Sequence, residues 1–472
     1  MATKIVQSLF DIKNLPDDAQ KVLRDFDQIA QSAMPANSKQ LVALPKIIRE
    51  LSHQMTDDRG SRRLGYMNEK TFLASYVRYF MWWNLVRLAR LFSNLDFGFL
   101  SGGGVCLDIG SGPLTLPCAL WLARPDLRQK KLVWYVMDIS QLALSLGEEI
   151  FLSVAAATGG EPWKIVRVKG PLGTAVKEKA RFVTCANMFN ELLQSRGGEP
   201  PDYLAKKYSQ ALFKYLDFES GPAIFLAEPG TPNSARFVSL MRDAFIRRGL
   251  FALTPCPHQQ SCPMDGRRAG KGGANGKWCN FAFDTDDAPK KLLALSAKAG
   301  IPKERAVISF VLASAETACK PKNCGTRESD ASPKSVDEKK SFASPKSGGL
   351  LRVASDIIRL PPEREGQKPR VGHYACSEQG LVLALSKGGK RVYSGDLLEV
   401  ENDFTPKSGA ETIGKSKAAA RFGREKVLAS PKSGRRSPSQ ESDLGSRGRN
   451  SGRDRDSRPR RDAKTGALIV EI

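Results

Sequence analysis

Short apolar runs separated by amphipathic helical patterns constrain this chain more than any other feature. The runs lie at 105–109, 132–138, 164–168, 181–186 and 223–228, with helical spacing between them, as over 140–155 and 203–216. A strand followed by a helix and another strand requires a crossover. Such units therefore build a parallel sheet with helices on both faces. Residues 236–248 read as a further helix, 249–253 as the strand after it, and 306–313 as a buried strand. The expected fold class is α/β, with a Rossmann-like domain at 101–254.

Other segments flank that domain. Residues 1–100 read as a helical region, with helical apolar spacing at 41–51 and 72–92. The second of these interleaves aromatic residues with arginines, which suits either an RNA-facing surface or a core helix; an aromatic stripe at helical spacing more often packs. Residues 255–316 form a cysteine-rich metal-binding segment with a closing strand, and 351–426 a small β-rich module. Lys, Ser, Pro and Glu dominate 317–350, and Ser, Arg, Pro and Gly dominate 427–472. Both compositions are expected to be disordered, because too little apolar surface is available to offset chain entropy. One tetrapeptide recurs in these polar stretches and at 405–408, as in Ser332-Pro333-Lys334-Ser335 and Ser430-Pro431-Lys432-Ser433. It reads as solvated linker. A basic loop, 266–276, lies inside the cysteine-rich segment.

The charge points to a polyanionic partner. Lys and Arg total 73 against 50 acidic residues, a formal net charge of +23. Each cation near a phosphate releases a condensed counterion, so nucleic acid is favoured over a membrane surface. Arg78, Arg87, Arg90, Arg242, Arg247 and Arg248 place part of that charge in the folded region. No apolar run approaches the roughly 20 residues of a spanning helix, and Asp11 interrupts the first apolar stretch. A cytoplasmic protein without membrane contact is expected, and nothing in the chain demands a dimer. In a reducing compartment its cysteines read as ligands or buried thiols before disulfides.

The first run leads into Asp108-Ile109-Gly110-Ser111-Gly112-Pro113, and the next ends at Asp138. Glycines there permit a tight turn and close backbone approach to a ligand, while a strand-end acid suits ribose hydroxyls. This pattern resembles class I S-adenosylmethionine methyltransferases. Leu114 departs from it, standing where a small residue is usual. The fourth run ends in Asn187-Met188-Phe189-Asn190-Glu191 and lacks the Pro-Pro-aromatic motif of amine methylation. Cys185 lacks the Pro-Cys context of a cytosine C5 nucleophile and reads as a packed thiol. No catalytic base or nucleophile is assigned.

Cys256, Cys262 and Cys279 supply soft ligands, and Cys376 can supply a fourth. The spacing lacks the tight C-x2-C pair of a structural zinc site, which favours an iron–sulfur cluster. His258 and His373 keep zinc open. Cys319 and Cys324 have no assigned role.

Together these pieces resemble a bacterial member of the methyltransferase-like family of mitochondrial small-ribosomal-subunit assembly factors. The likeness rests on the glycine loop, Asn190-Glu191-Leu192, Glu228-Pro229-Gly230-Thr231-Pro232, the cysteine motif 255–263, Trp278-Cys279-Asn280-Phe281, Arg359-Leu360-Pro361-Pro362 and Gly372-His373-Tyr374-Ala375-Cys376. It covers roughly 40–426, excepting the insertions. The resemblance implies S-adenosyl-L-methionine held by Asp108, Gly110, Gly112 and Asp138. It also implies a 4Fe–4S cluster on Cys256, Cys262, Cys279 and Cys376, and attachment to small-subunit rRNA in ribosome biogenesis and translation. Three roles are compatible with it: an rRNA methyltransferase, a non-catalytic iron–sulfur assembly factor, and a zinc-stabilised methyltransferase of protein or DNA.

Overall fold

The computed structural model describes residues 3–56, 65–194, 199–267, 276–315, 349–362, 369–386, 391–400 and 467–471. Its first element is a strand, β1 (Thr3–Gln7), where the helical reading of 1–100 expected none. Ile5-Val6 is too short to show a period, and β1 exists because it pairs with a strand nearly 400 residues away, Thr3 opposite Val400. Helices follow: α1 (Asp17–Arg24), α2 (Phe26–Ala33), α3 (Ser38–Thr56), α4 (Lys70–Ser75) and α5 (Trp82–Phe92).

A π-helical turn, Tyr76–Met81, joins α4 to α5 where the sequence reads one continuous helix. The aromatic stripe is core. Tyr79, Trp82 and Trp83 are buried; the Trp82 indole donates to Leu23 O at 2.6 Å, and that of Trp83 to Ser296 Oγ at 3.2 Å. Its arginines are mostly internal too, against the RNA-facing alternative. Arg78 donates to Gln31 Oε1 and Met34 O, and Arg90 forms a 2.8 Å ion pair with Asp287 beneath the Phe283 ring. Arg242 is buried as well, whereas Arg247 and Arg248 are exposed.

The central sheet is built from β2 (Gly104–Ile109), α6 (Thr115–Ala123), α7 (Pro125–Arg128), β3 (Leu132–Asp138), α8 (Gln141–Thr158), β4 (Lys164–Lys169), β5 (Phe182–Ala186), α9 (Phe189–Gln194), α10 (Pro201–Phe213), β6 (Ala223–Pro229), α11 (Pro232–Arg247), β7 (Phe251–Thr254), β8 (Phe281–Asp284), α12 (Lys290–Lys298) and β9 (Arg305–Ser314). Its order is β4-β3-β2-β5-β6-β9-β7, with β8 on β9. The strands from β4 to β6 are parallel, as the alternation of runs requires. The sheet is nevertheless mixed, since β9 inserts antiparallel between β6 and β7. The closing strand assigned to the cysteine-rich segment therefore belongs to the α/β sheet. Every residue of α6 is buried, because this nearly all-apolar helix is covered by α5 and α8.

A second sheet follows, with β10 (Gly349–Val353), β11 (Ile358–Leu360), β12 (Arg370–Ser377), β13 (Gly380–Leu385), β14 (Leu397–Val400) and β15 (Leu468–Glu471). Its order is β1-β14-β10-β12-β13-β15, with β11 on β12. Two expectations of disorder are corrected at their ends. Gly349 and Leu350 already belong to β10, and Leu468–Glu471 lies parallel to β13, with Val382 opposite Leu468. A polar tail can still end in a strand, because the apolar Leu468-Ile469-Val470 completes an open sheet edge. Residues 317–348, 427–466 and 472, with Cys319, Cys324, the tetrapeptide repeats and residues 268–275 of the basic loop, lie outside the described residues. Among the described residues no helix is long and apolar enough to cross a membrane.

Candidate functional site

The sheet order reverses between β2 and β5, and in open α/β sheets ligands sit at the carboxyl ends of the strands at such a point. A cavity of about 280 Å³ opens there, near the lower end of small-molecule sites. Its wall includes Asp108, Ile109, Gly110, Ser111 and Gly112 from the end of β2, Asp138 and Ser140 after β3, and Asn187 and Met188 after β5. Tyr66 and Met67 approach from the segment before α4, and Tyr76, Asn84 and Leu88 from the π turn and α5.

All of the sequence-predicted cofactor residues line this cavity, each with a distinct local task. Gly110 has φ +72°, and a Cβ there would lie 2.8 Å from the Met188 side chain. Both the turn and the close approach therefore demand glycine. Asp138 does more than face a ligand: Oδ2 accepts from Gly112 N at 2.9 Å and Oδ1 from Ser140 N at 2.8 Å. It closes the glycine loop onto β3, and a carboxylate with about four acceptor positions keeps others for hydroxyl donors. Burial raises its pKa above the ordinary carboxylate range. Asp108 is 2% exposed and accepts from Thr184 Oγ1 at 2.7 Å. Burial lifts this carboxyl to about 7, against the opposing bonds from Thr184 and Ser111.

Leu114 does not obstruct the cavity. It is fully buried in the left-handed region, φ 57°, and its side chain points at α8. Gly147 of α8 makes room for it: a Cβ at Gly147 would lie 2.5 Å from Pro113 C and 2.6 Å from Leu114 Cδ1. The departure from a small residue at 114 is absorbed by a missing side chain at 147.

Two further residues shape the site and escaped the sequence reading of roles. Glu228, 1% exposed at the end of β6, accepts from Phe189 N at 2.8 Å and Asn190 N at 3.0 Å. It thereby holds the turn that carries Asn187 and Met188. Burial lifts its pKa to about 8, the two amides opposing. Arg87, expected among the RNA-facing cations, donates to Val307 O at 2.8 Å, Asn84 Oδ1 at 2.7 Å and Asn187 Oδ1 at 3.3 Å. An acid closing an apolar strand just before Pro-Gly was the available signal for Glu228; Arg87 offered none. Cys185 is the packed thiol expected, buried with Sγ 3.3 Å from Ile109 O.

The predicted metal ligands form a second group. Cys256 and Cys262 follow β7, Cys279 precedes β8, and Cys376 lies on β12 opposite Arg352 of β10. Burial, then the charges of Cys376, Cys262 and Cys256, pushes the Cys279 thiol well up, and burial with the Cys256 charge takes Cys262 to about 11. The fold thus brings all four into one neighbourhood that ties the two sheets together. Among the described residues, however, no three His, Cys, Asp or Glu groups are placed to hold a single metal ion. One tetrahedral zinc, with bonds of about 2.3 Å, needs sulfurs only about 3.8 Å apart. Of the two histidines, His373 is poorly placed as a ligand, whereas both ring nitrogens of His258 are buried without a hydrogen-bond partner among the described residues. His373 is buried with Nδ1 3.4 Å from Ser355 O, and it stands three residues before Cys376 on the strand, which places the two on opposite faces.

Two buried arginines flank the cysteines. Arg242 Nε lies 3.1 Å from Cys256 Sγ, and its Nη2 donates to His258 O at 2.8 Å. Arg352 is 3% exposed and donates to Pro255 O, Gly395 O and Gln7 Oε1, all neutral acceptors.

Comparison with curated proteins gives no match. Among solved structures, the chain is similar to a SAM-dependent methyltransferase from Geobacter sulfurreducens in complex with S-adenosyl-L-homocysteine, at 14% identity over 49% of this chain and 89% of that one, TM-score 0.26. A precorrin-6y C5,15-methyltransferase from Geobacter metallireducens gives 12% identity, coverage of 55% and 96%, and a TM-score of 0.26. TrmN from Thermus thermophilus gives 15%, coverage of 35% and 42%, and 0.22. Residues 103–323 match the family model described as mitochondrial small ribosomal subunit Rsm22. This stretch holds the glycine loop, Asp138, Glu228, Cys256, Cys262 and Cys279, and over it the chain is similar to the Rsm22 family.

Proposed function

We propose that this chain is an S-adenosylmethionine-binding, methyltransferase-fold protein of the cytoplasm that acts on or binds small-subunit rRNA. The observation that carries the reading is the closed glycine loop, with Gly112 N–H held by Asp138 beside a cavity at the switch point of the sheet. In it, Gly110 and Gly112 lie against the methionine end of the cofactor, Asp138 accepts from its ribose hydroxyls, and Asp108 holds the loop from below. When bound, S-adenosylmethionine supplies an electrophilic methyl group, leaving as S-adenosylhomocysteine. The matched family supports the ribosomal setting, and the net charge of +23 supports a phosphate-rich partner.

The four cysteines are assigned a 4Fe–4S cluster. Supporting this is a soft donor set beside Arg242 and Arg352; Arg352 is a buried cation without a carboxylate bond, which calls for a nearby anion. The cluster would lock β12 to the loop after β7. A second reading, RNA binding without methyl transfer, is favoured by the engagement of the carboxylates at the cavity, Asp108 with Thr184 and Asp138 with two amides.

The test is anaerobic purification with iron, sulfide and zinc quantified, followed by calorimetric titration of S-adenosylmethionine. About four irons per chain with cofactor binding supports the full reading, and methylation of isolated rRNA then separates enzyme from binder. An iron-loaded protein that ignores the cofactor would refute the cavity assignment, and a zinc-loaded protein would refute the cluster.

A further inference from the structure

Asn84 and Asn187 both line the cavity, one from α5 and one from the turn after β5, and both aim their side-chain carbonyls at the same guanidinium nitrogen. Arg87 Nη2 has hydrogens to give and no lone pair to offer. A flipped amide would set donor against donor, so Arg87 fixes the orientation of both side chains. In a planar amide the NH2 then points away from Arg87. Among the described residues neither Nδ2 has a hydrogen-bond partner, and neither is among the buried unpaired atoms, so both remain accessible. Asn187 is held further by its own backbone, at φ 59° with its N–H donating to Ala227 O at 2.8 Å. Arg87 is anchored in turn by Val307 O. The result is a rigid edge whose free nitrogens are N–H donors.

We propose that Asn84 and Asn187 form the acceptor-substrate subsite of this cavity, and that it takes a nucleobase edge bearing two adjacent hydrogen-bond acceptors. Guanine O6/N7 and cytosine O2/N3 have that pattern. Uracil places an N–H between its carbonyls, and adenine sets its amine beside both N1 and N7, so on these edges both put a donor against the asparagines. This inference rests on the reading that the cavity holds S-adenosylmethionine together with an RNA substrate.

The experiment uses the full chain. S-adenosylhomocysteine is titrated first, and then CMP, GMP, UMP and AMP, each on protein saturated with it. All four probes carry the same phosphate, so differences report the base edge. CMP or GMP should bind at least tenfold tighter than UMP and AMP, and Asn187→Asp, which replaces the NH2 by an acceptor, should remove that preference. Asn84→Asp, on a helix surface, should do the same and decides the matter if the Asn187 variant fails to fold. Wild-type protein that binds no S-adenosylhomocysteine would overturn the underlying cofactor reading. Intact cofactor binding with equal or absent binding of the four nucleotides, or an unchanged preference in a folded variant, would overturn this proposal alone.

Discussion

Gly147→Ala isolates the contact between α8 and the glycine loop. An added Cβ would sit 2.5 Å from Pro113 C and 2.8 Å from Pro113 Cα, both backbone atoms that cannot rotate aside. An ordinary contact of about 3.5 Å requires helix or loop to retreat by about 1 Å. Overpacking of this kind costs about 1–3 kcal/mol, offset by about 1 kcal/mol of helix propensity gained over glycine. Net destabilisation is therefore at most about 2 kcal/mol, a fall in Tm of a few degrees. The larger effect falls on the ligand. A 1 Å retreat stretches the 2.9 Å Gly112–Asp138 bond beyond hydrogen-bonding range, and a bond to a charged group is worth about 1.5–3 kcal/mol. S-adenosylhomocysteine affinity should drop at least tenfold by calorimetry. Gly159→Ala is the control: nothing lies within 4 Å of its Cβ, although φ is +74°. It should lower Tm through left-handed backbone strain and leave ligand affinity unchanged. Equal affinity in Gly147→Ala and wild type would refute the argument that this helix sets the loop.

Asp138→Asn can accept from only one of the two amides, Gly112 N or Ser140 N, and turns an NH2 toward the other; S-adenosylhomocysteine affinity should fall at least tenfold in the same titration. Burial raises Glu228 from 4.5 to about 8, so the folded protein keeps a proton that the unfolded chain releases. That contribution is complete below pH 4.5 and is lost as pH rises through about 8, with a slope of at most about 1.4 kcal/mol per pH unit. Urea midpoints against pH should fall less steeply in Glu228→Gln, with a residual decline from Asp108 that ends near pH 7; identical slopes would contradict the assignment. Cys262→Ser and Cys376→Ser should each lower both iron content and Tm after anaerobic purification, and unchanged iron in both would rule out the four-cysteine site.

The α/β class and the cavity floor were legible in the sequence because their signals are local. The runs from β2 to β6 alternate with helices except between β4 and β5, which favours a parallel sheet as the covered solution, and Gly110, Gly112 and Asp138 sit at the strand ends that this sheet brings together. The four cysteines announced themselves by residue type. What the tertiary structure decided is everything that depends on partners distant in the chain. β1 and β15 are strands only because β14 and β13 offer unpaired edges. The antiparallel placement of β9 follows from pairing with β6 and β7, which no period reveals. Arg78, Arg87, Arg90 and Arg242 read as a nucleic-acid surface, since a sequence counts charge but not burial; the fold spends them on carbonyls, carboxylates and a thiol. Leu114 reads as an obstacle until Gly147, 33 residues later, is seen beneath it. Local backbone preference and side-chain chemistry are written along the chain, whereas burial and partnership exist only once the chain has closed on itself.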